Sequence, residues 1–276
     1  MRLGLHPLLV LLLATAAAAQ TATPPVTRPD LGSVAALADK GQLEAAERQL
    51  RQLLAQGGGA PVRDLLGVVL SRQGKLDEAE AQLQKALAAD PALPGLRQHL
   101  ARVYLAQGRD AEAAAELRQA ARQRPLERDL ALKLADIELS EGHPALAERQ
   151  LRAAADRFQS VAALLQLARL QSRQGDAASA LESLERARPL APNSEDVLSA
   201  YGQLSLAGRE PLGAIGALEP LTRMCPTVAT YHYLLGAALM QLEDTPAAIE
   251  VLRRAEQLEP ERTPTLVALG LALNGR

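Results

Sequence analysis

Residues 60–93 read APVRDLLGVVLSRQGKLDEAEAQLQKALAADPAL. Two amphipathic helices and a tight loop are legible in this stretch. The first helix carries Leu65, Leu66, Val69 and Leu70 at three- and four-residue spacing, which places them on one face. Gly74 interrupts it. The second helix carries Leu76, Ala79, Leu83, Ala86 and Leu87, again at helical spacing. Asp90-Pro91 ends it, because proline disfavours helical backbone in the residue before it. Ala79 and Leu83 lie one turn apart on the same face. The small alanine predicts a close approach of the first helix, with the leucine filling the space beside it. Gly67 follows the same logic. A mid-helix glycine costs up to about 1 kcal/mol relative to alanine, so it makes sense where two helices come close.

The pattern recurs along the chain. Ala–Leu pairs four residues apart stand at Ala46/Leu50, Ala79/Leu83, Ala113/Leu117, Ala147/Leu151, Ala180/Leu184, Ala214/Leu218 and Ala248/Leu252, in steps of 33 or 34 residues. The position of Gly67 is held by Ala101, Ala135, Ala168, Gly202, Gly236 and Gly270. The loop glycine recurs at Gly41, Gly108, Gly142, Gly175 and, one step early, Gly208. Prolines close units at Pro125, Pro192, Pro226 and Pro260. A fixed period of this size makes the chain an array of one repeated unit. One hairpin cannot bury both its faces, so stacked hairpins build the core and each touches its neighbours.

On these residues the chain resembles the tetratricopeptide repeat family, a 34-residue helix–turn–helix repeat with the pattern W-x2-L-G-x2-Y, A-x3-F, P. The L-G step stands as Leu66-Gly67, Leu235-Gly236 and Leu269-Gly270, and the downstream tyrosine as Tyr104. The A-x3-F element appears as A-x3-L in all seven pairs, and the chain has no tryptophan. The resemblance implies an all-α, right-handed superhelical α-solenoid of about seven helix–turn–helix repeats plus one partial terminal unit.

Composition agrees with a helical class. Of 276 residues, 48% are hydrophobic, yet there are only four Tyr, one Phe and no Trp. The core must therefore be built from Ala, Leu and Val, and Ala and Leu favour helices. Thirty basic and 32 acidic residues give a net charge of −2, with no long run of either sign. Nucleic-acid binding is not expected of such a chain, which lacks both a basic excess and aromatic platforms. Cys225 is the single cysteine. That excludes an intramolecular disulfide framework and leaves a small buried apolar role, an intermolecular bridge or a reactive thiol.

Residues 1–19 differ from the rest. Arg2, the apolar run LLVLLLA and Ala17-Ala18-Ala19 read as a secretory signal peptide cleaved between Ala19 and Gln20. The apolar run is short against the ~20 residues a spanning helix needs, although an uncleaved anchor is the competing reading. Residues 20–30, QTATPPVTRPD, form a Pro/Thr-rich leader. Seven repeats then occupy 31–262, with units beginning near 27, 60, 94, 128, 161, 195 and 229. Residues 263–276 hold one more first helix, either a capping helix or a partial eighth repeat. Val267, Leu269, Leu271 and Leu273 are apolar where a cap should be polar, which points equally to a chain continuing beyond Arg276 into a catalytic or other effector domain.

In the family that the chain resembles, the first helices line a concave groove where peptides or partner helices lie. Carried over unit by unit, the lining comprises Arg72, Gln98, Arg102, Leu132, Asp136, Leu165, Arg169 and Arg173, then Gln203, Leu206, Tyr233, Met240 and Gln241. Arg102, Arg169 and Arg173 suit an acidic segment or terminal carboxylate, because a guanidinium fork makes two hydrogen bonds at once. Tyr233 and Met240 offer an apolar anchor, with core packing as the alternative. His99, His143 and His232 fall in different units. No H-E-x-x-H, C-x-x-C, G-x-S-x-G or P-loop motif occurs, so no cofactor, metal or catalytic set is implied. The reading is a non-catalytic scaffold or adaptor for a protein or peptide partner. On the signal-peptide reading it is periplasmic in a Gram-negative host and otherwise secreted; by analogy with the family its work lies in envelope, secretion or polysaccharide-export assembly.

Overall fold

The computed structural model describes residues 30–275. The proposed signal and nearly all of the leader lie outside them. Among the described residues all regular structure is helical. The helices are α1 (Leu31–Asp39), α2 (Leu43–Ala55), α3 (Ala60–Arg72), α4 (Leu76–Ala89), α5 (Leu96–Ala106), α6 (Asp110–Gln123), α7 (Arg128–Ser140) and α8 (Pro144–Phe158). There follow α9 (Val161–Arg173), α10 (Ala177–Ala187), α11 (Glu195–Ala207), α12 (Pro211–Met224), α13 (Ala229–Gln241), α14 (Thr245–Leu258) and α15 (Thr263–Asn274). Each odd-numbered helix up to α13 packs against the even-numbered helix after it, and each hairpin packs against the next. This is an α-solenoid. Among the described residues no helix is long and apolar enough to cross a membrane.

The Ala–Leu pairs define the spine. All fourteen residues are at most 2% exposed. A Cβ added at Gly67 would lie 2.5 Å from Leu83 Cγ. At Gly202 it would meet Leu218 Cγ at 2.8 Å, and at Gly236 Leu252 Cγ at 2.6 Å. In these three units the leucine therefore sits directly over the glycine of its partner helix, where a methyl group would intrude. Gly270 is the exception, with nothing within 4 Å of its virtual Cβ. Its helix, α15, leaves Leu266, Val267, Leu271 and Leu273 between 42% and 63% exposed.

The hairpin loops share one hydrogen-bond pattern. In the first full unit, the Lys75 N–H donates to the Leu70 carbonyl at 3.0 Å and the Gly74 N–H to Ser71 at 3.0 Å. Gly74 has φ +78°, the left-handed residue that such a helix end requires. The long bond recurs in the next loops as Arg109→Tyr104, His143→Glu138, Asp176→Gln171, Glu210→Ser205 and Asp244→Leu239. The loop of Gly208, whose glycine comes one step early, fills the left-handed place with another residue. Gly208 is right-handed at φ −74°, and Arg209 takes the left-handed place at φ +59°. In the following loop Glu243 does so at φ +63°. The bond fixes the second residue of each three-residue hairpin loop as left-handed, whatever its type.

Candidate functional site: a groove between the first helices

Three first helices, α9, α11 and α13, build a groove. Ser160 starts α9, its Oγ accepting from the Ala163 N–H at 3.3 Å. From there Arg169 and Arg173 fall one turn apart on the same face. Ser194 starts α11 in the same way, accepting from the Val197 N–H at 3.4 Å, which puts Glu195 and Asp196 in the first turn. The groove has a volume of about 640 Å³. Arg169, Ser172 and Arg173 line one wall, Glu195, Asp196 and Gln203 the other, with Ala168, Ala200 and Leu204 between them. Tyr231 of α13 lines it as well.

The charges in this groove are only partly satisfied. Arg169 reaches Asp196 at a long 3.7 Å. Among the described residues no ion pair involves Arg173. Glu195 is engaged, accepting from the Tyr231 hydroxyl at 2.5 Å. That carboxylate, with burial, pushes the Tyr231 phenol up to about 12. Cys225 is partly buried beside the groove, and burial followed by the charge of Glu195 pushes its thiol up.

The remaining residues of the expected lining are placed differently. Arg102 already has both arms engaged. It donates to Asp129 at 2.6 and 3.1 Å and to Glu127 at 2.7 Å. Arg72 spans the gap to the preceding hairpin, donating to the Ala38 carbonyl and to Asp39, each at 3.3 Å. Gln98 is 1% exposed and does not face a groove; its Oε1 accepts from the Glu127 N–H at 3.0 Å and ties α5 to the start of α7. Asp136 makes no ion pair with these arginines among the described residues, and partial burial pushes its carboxyl up. Leu206 is half-buried against the core, and Gln241 donates to its carbonyl at 3.0 Å. Tyr233 and Met240 are half-buried against Ile249, Leu252 and Leu269, and the Arg262 guanidinium lies 5.4 Å from the Tyr233 ring centre. Sequence reasoning missed Glu195, Asp196 and Tyr231; the S-E-D helix start at 194–196 was the available signal.

The histidines sit in local contacts. His99 Nδ1 lies 2.7 Å from Asp64, and His232 Nε2 lies 3.1 Å from the Pro226 carbonyl. Glu138, Glu141 and His143 bring ligand atoms within 4.8 Å of one another, as a metal would need. Arg118 already donates to both of those carboxylates, however, which makes the group an ion-pair cluster.

Comparison with known proteins accords with this architecture. A family model described as tetratricopeptide repeat matches residues 70–137. A second of the same description matches 34–94, 132–195 and 202–263, together well over half the chain. Comparison with curated protein sequences finds no match. Among solved structures, the C-terminal part of a TPR repeat-containing protein from Cytophaga hutchinsonii is similar at TM-score 0.59 and 14% identity, over 87% of this chain and 99% of that one. A structure of Naa15/Naa10 bound to HypK-THB is similar at TM-score 0.61 and 18% identity, over 88% of this chain and 38% of that one. MamA from Desulfovibrio magneticus RS-1 is similar at TM-score 0.50 and 24% identity, over 55% of this chain and 87% of that one. At these identities the likeness concerns the fold alone; together with the repeat matches, it establishes that the chain belongs to the tetratricopeptide repeat family.

Proposed function

We propose that the chain is a protein-interaction scaffold that holds an extended partner segment in the groove between α9, α11 and α13. A carboxylate of that segment lies against Arg169 and Arg173. The observation that carries this reading is the contrast among four arginines. Arg72 and Arg102 are engaged by groups of their own chain, whereas Arg173 is free of ion pairs among the described residues and Arg169 has one long contact. A guanidinium with unused donors facing a groove recognises a carboxylate with direction as well as charge. Glu195 and Asp196 across the groove favour a basic or hydrogen-bonding group beside that carboxylate. On the reading of residues 1–19 as a signal, the scaffold works outside the cytoplasm, in envelope, secretion or polysaccharide-export assembly.

Site-specific photocrosslinking tests the groove. A crosslinker at Ser172 or Ala207 captures a discrete partner segment, and Arg169→Glu/Arg173→Glu abolishes the capture while leaving the helical circular dichroism unchanged. Equal capture from a crosslinker at Arg253, on α14 and away from this groove, would show that the groove is not the binding surface. Sequencing the mature N-terminus checks the compartment: export with cleavage predicts a start at Gln20.

A further inference from the structure

A second cavity, of about 460 Å³, lies where the end of α6, the start of α7 and the last half of α8 meet. Arg122, Arg124, Arg149 and Arg157 line it, and no acidic residue does. Among the described residues none of the four takes part in an ion pair. The acids nearest in sequence are committed elsewhere. Glu127 and Asp129 hold Arg102, Glu148 holds Arg152, and Asp156 holds Arg186. The carboxyl ends of α6 and α8 supply roughly half a negative charge each, short of balancing four guanidinium groups.

Gln150 also lines it. Phe158 gives one side an apolar face, with the Arg157 guanidinium 5.4 Å from the ring centre. An aromatic face and four solvent-exposed arginines without a carboxylate partner among the described residues thus meet in one concavity of small-molecule size.

We propose that this cavity binds a phosphate-bearing ligand of the pyrophosphate class, with the phosphate oxygens on the arginines and an attached apolar or planar group against Phe158. A single carboxylate occupies one fork and leaves most of the positive charge unmatched. A pyrophosphate group offers several oxygens to several forks and carries enough charge to balance them.

Calorimetry of the full chain with inorganic pyrophosphate tests the assignment, at about 50 mM salt to limit screening. Saturable binding is expected, weakened about tenfold or more in Arg149→Ala/Arg157→Ala, because charged hydrogen bonds are lost. Arg149→Lys/Arg157→Lys keeps the charge but not the forks and falls between the two. Arg169→Ala/Arg173→Ala, in the other groove, binds pyrophosphate unchanged. Flotation with phosphatidylcholine vesicles, with and without phosphatidic acid, separates the sources. Retention that needs both phosphatidic acid and Arg149/Arg157 assigns the phosphate to a lipid headgroup, and binding of pyrophosphate alone assigns it to a free ligand. Absence of both forms of binding, the same affinity in the alanine variant, or citrate binding as tightly as pyrophosphate overturns the proposal.

Discussion

Adding one methyl group at the same position of two repeats should change stability with opposite signs. Gly236 and Gly270 occupy equivalent places in α13 and α15. Alanine improves helix propensity by about 1 kcal/mol at either. At Gly236 the new Cβ would lie 2.6 Å from Leu252 Cγ and 2.7 Å from Cδ2, and Leu252 is fully buried. Overpacking of this kind costs about 1–3 kcal/mol, because the helices must separate or the leucine must leave its rotamer. Gly236→Ala is therefore expected to lose about 1 kcal/mol net. Gly270 meets nothing within 4 Å, so Gly270→Ala keeps its propensity gain of about 1 kcal/mol in α15. Ala101, Ala135 and Ala168 show that the fold accommodates alanine at this register, so the Gly236 cost is one of local repacking rather than unfolding. A Leu252→Ala background supplies the control. It costs about 2–5 kcal/mol by itself. It also removes the atoms that the added methyl group would strike, so Gly236→Ala becomes favourable by about 1 kcal/mol there. Urea unfolding followed by circular dichroism gives the α13–α14 values, and amide exchange in α15 isolates the terminal helix. Equal effects of Gly236→Ala in the two backgrounds would refute the idea that Leu252 sets the sign.

The other predictions concern the loops and the titrating groups. Arg209→Gly is expected to raise stability by about 0.5–1 kcal/mol, since it relieves left-handed backbone at φ +59° while adding glycine entropy to the unfolded chain; thermal unfolding checks it. The Tyr231 phenol should titrate near 12 in an absorbance titration, and Glu195→Gln should bring it down. Its folded value lies above its unfolded one. The stability it contributes is thus complete below about pH 10 and is lost as pH rises through about 12. Glu47 behaves oppositely. The hydrogen bond from Lys75, aided by that from Arg51, outweighs burial and holds its carboxyl at about 2. Its contribution is complete above the ordinary value of 4.5 and is lost as pH falls through about 2, so Glu47→Gln flattens acid unfolding in that window.

The repeated spine was legible because its requirements are local. An alanine, a leucine four residues on and a small residue in the facing helix recur at fixed spacing, and the packing is that of the spacing. The loop bond was legible through Gly74 and its counterparts. Its displacement onto Arg209 was not, because the backbone sets the position and Gly208 merely stands beside it. The groove was only partly visible. Family geometry brought Arg169 and Arg173 together, but the same geometry put Arg102 and Gln98 beside them. Their engagement by Asp129, Glu127 and the α7 backbone depends on how one hairpin lands on the next, which a single helix does not encode. The arginine-lined cavity was invisible for a related reason. Arg122, Arg124, Arg149 and Arg157 are scattered among acids in sequence, and the charge emerges only when Arg102, Arg152 and Arg186 take those acids away.

Within the hairpin loops, the two non-glycine residues in the left-handed place, Arg209 and Glu243, both fall in the second half of the array, while Gly74, Gly108, Gly142 and Gly175 hold that place in the hairpins before them. In a structure whose units touch only their neighbours, such a difference has a direction. It makes the chain a zipper that opens from one end. The groove of α9, α11 and α13 lies across the first weak joint, so a segment bound there would act as a clasp, and occupancy would be read as slower amide exchange in the hairpins beyond it.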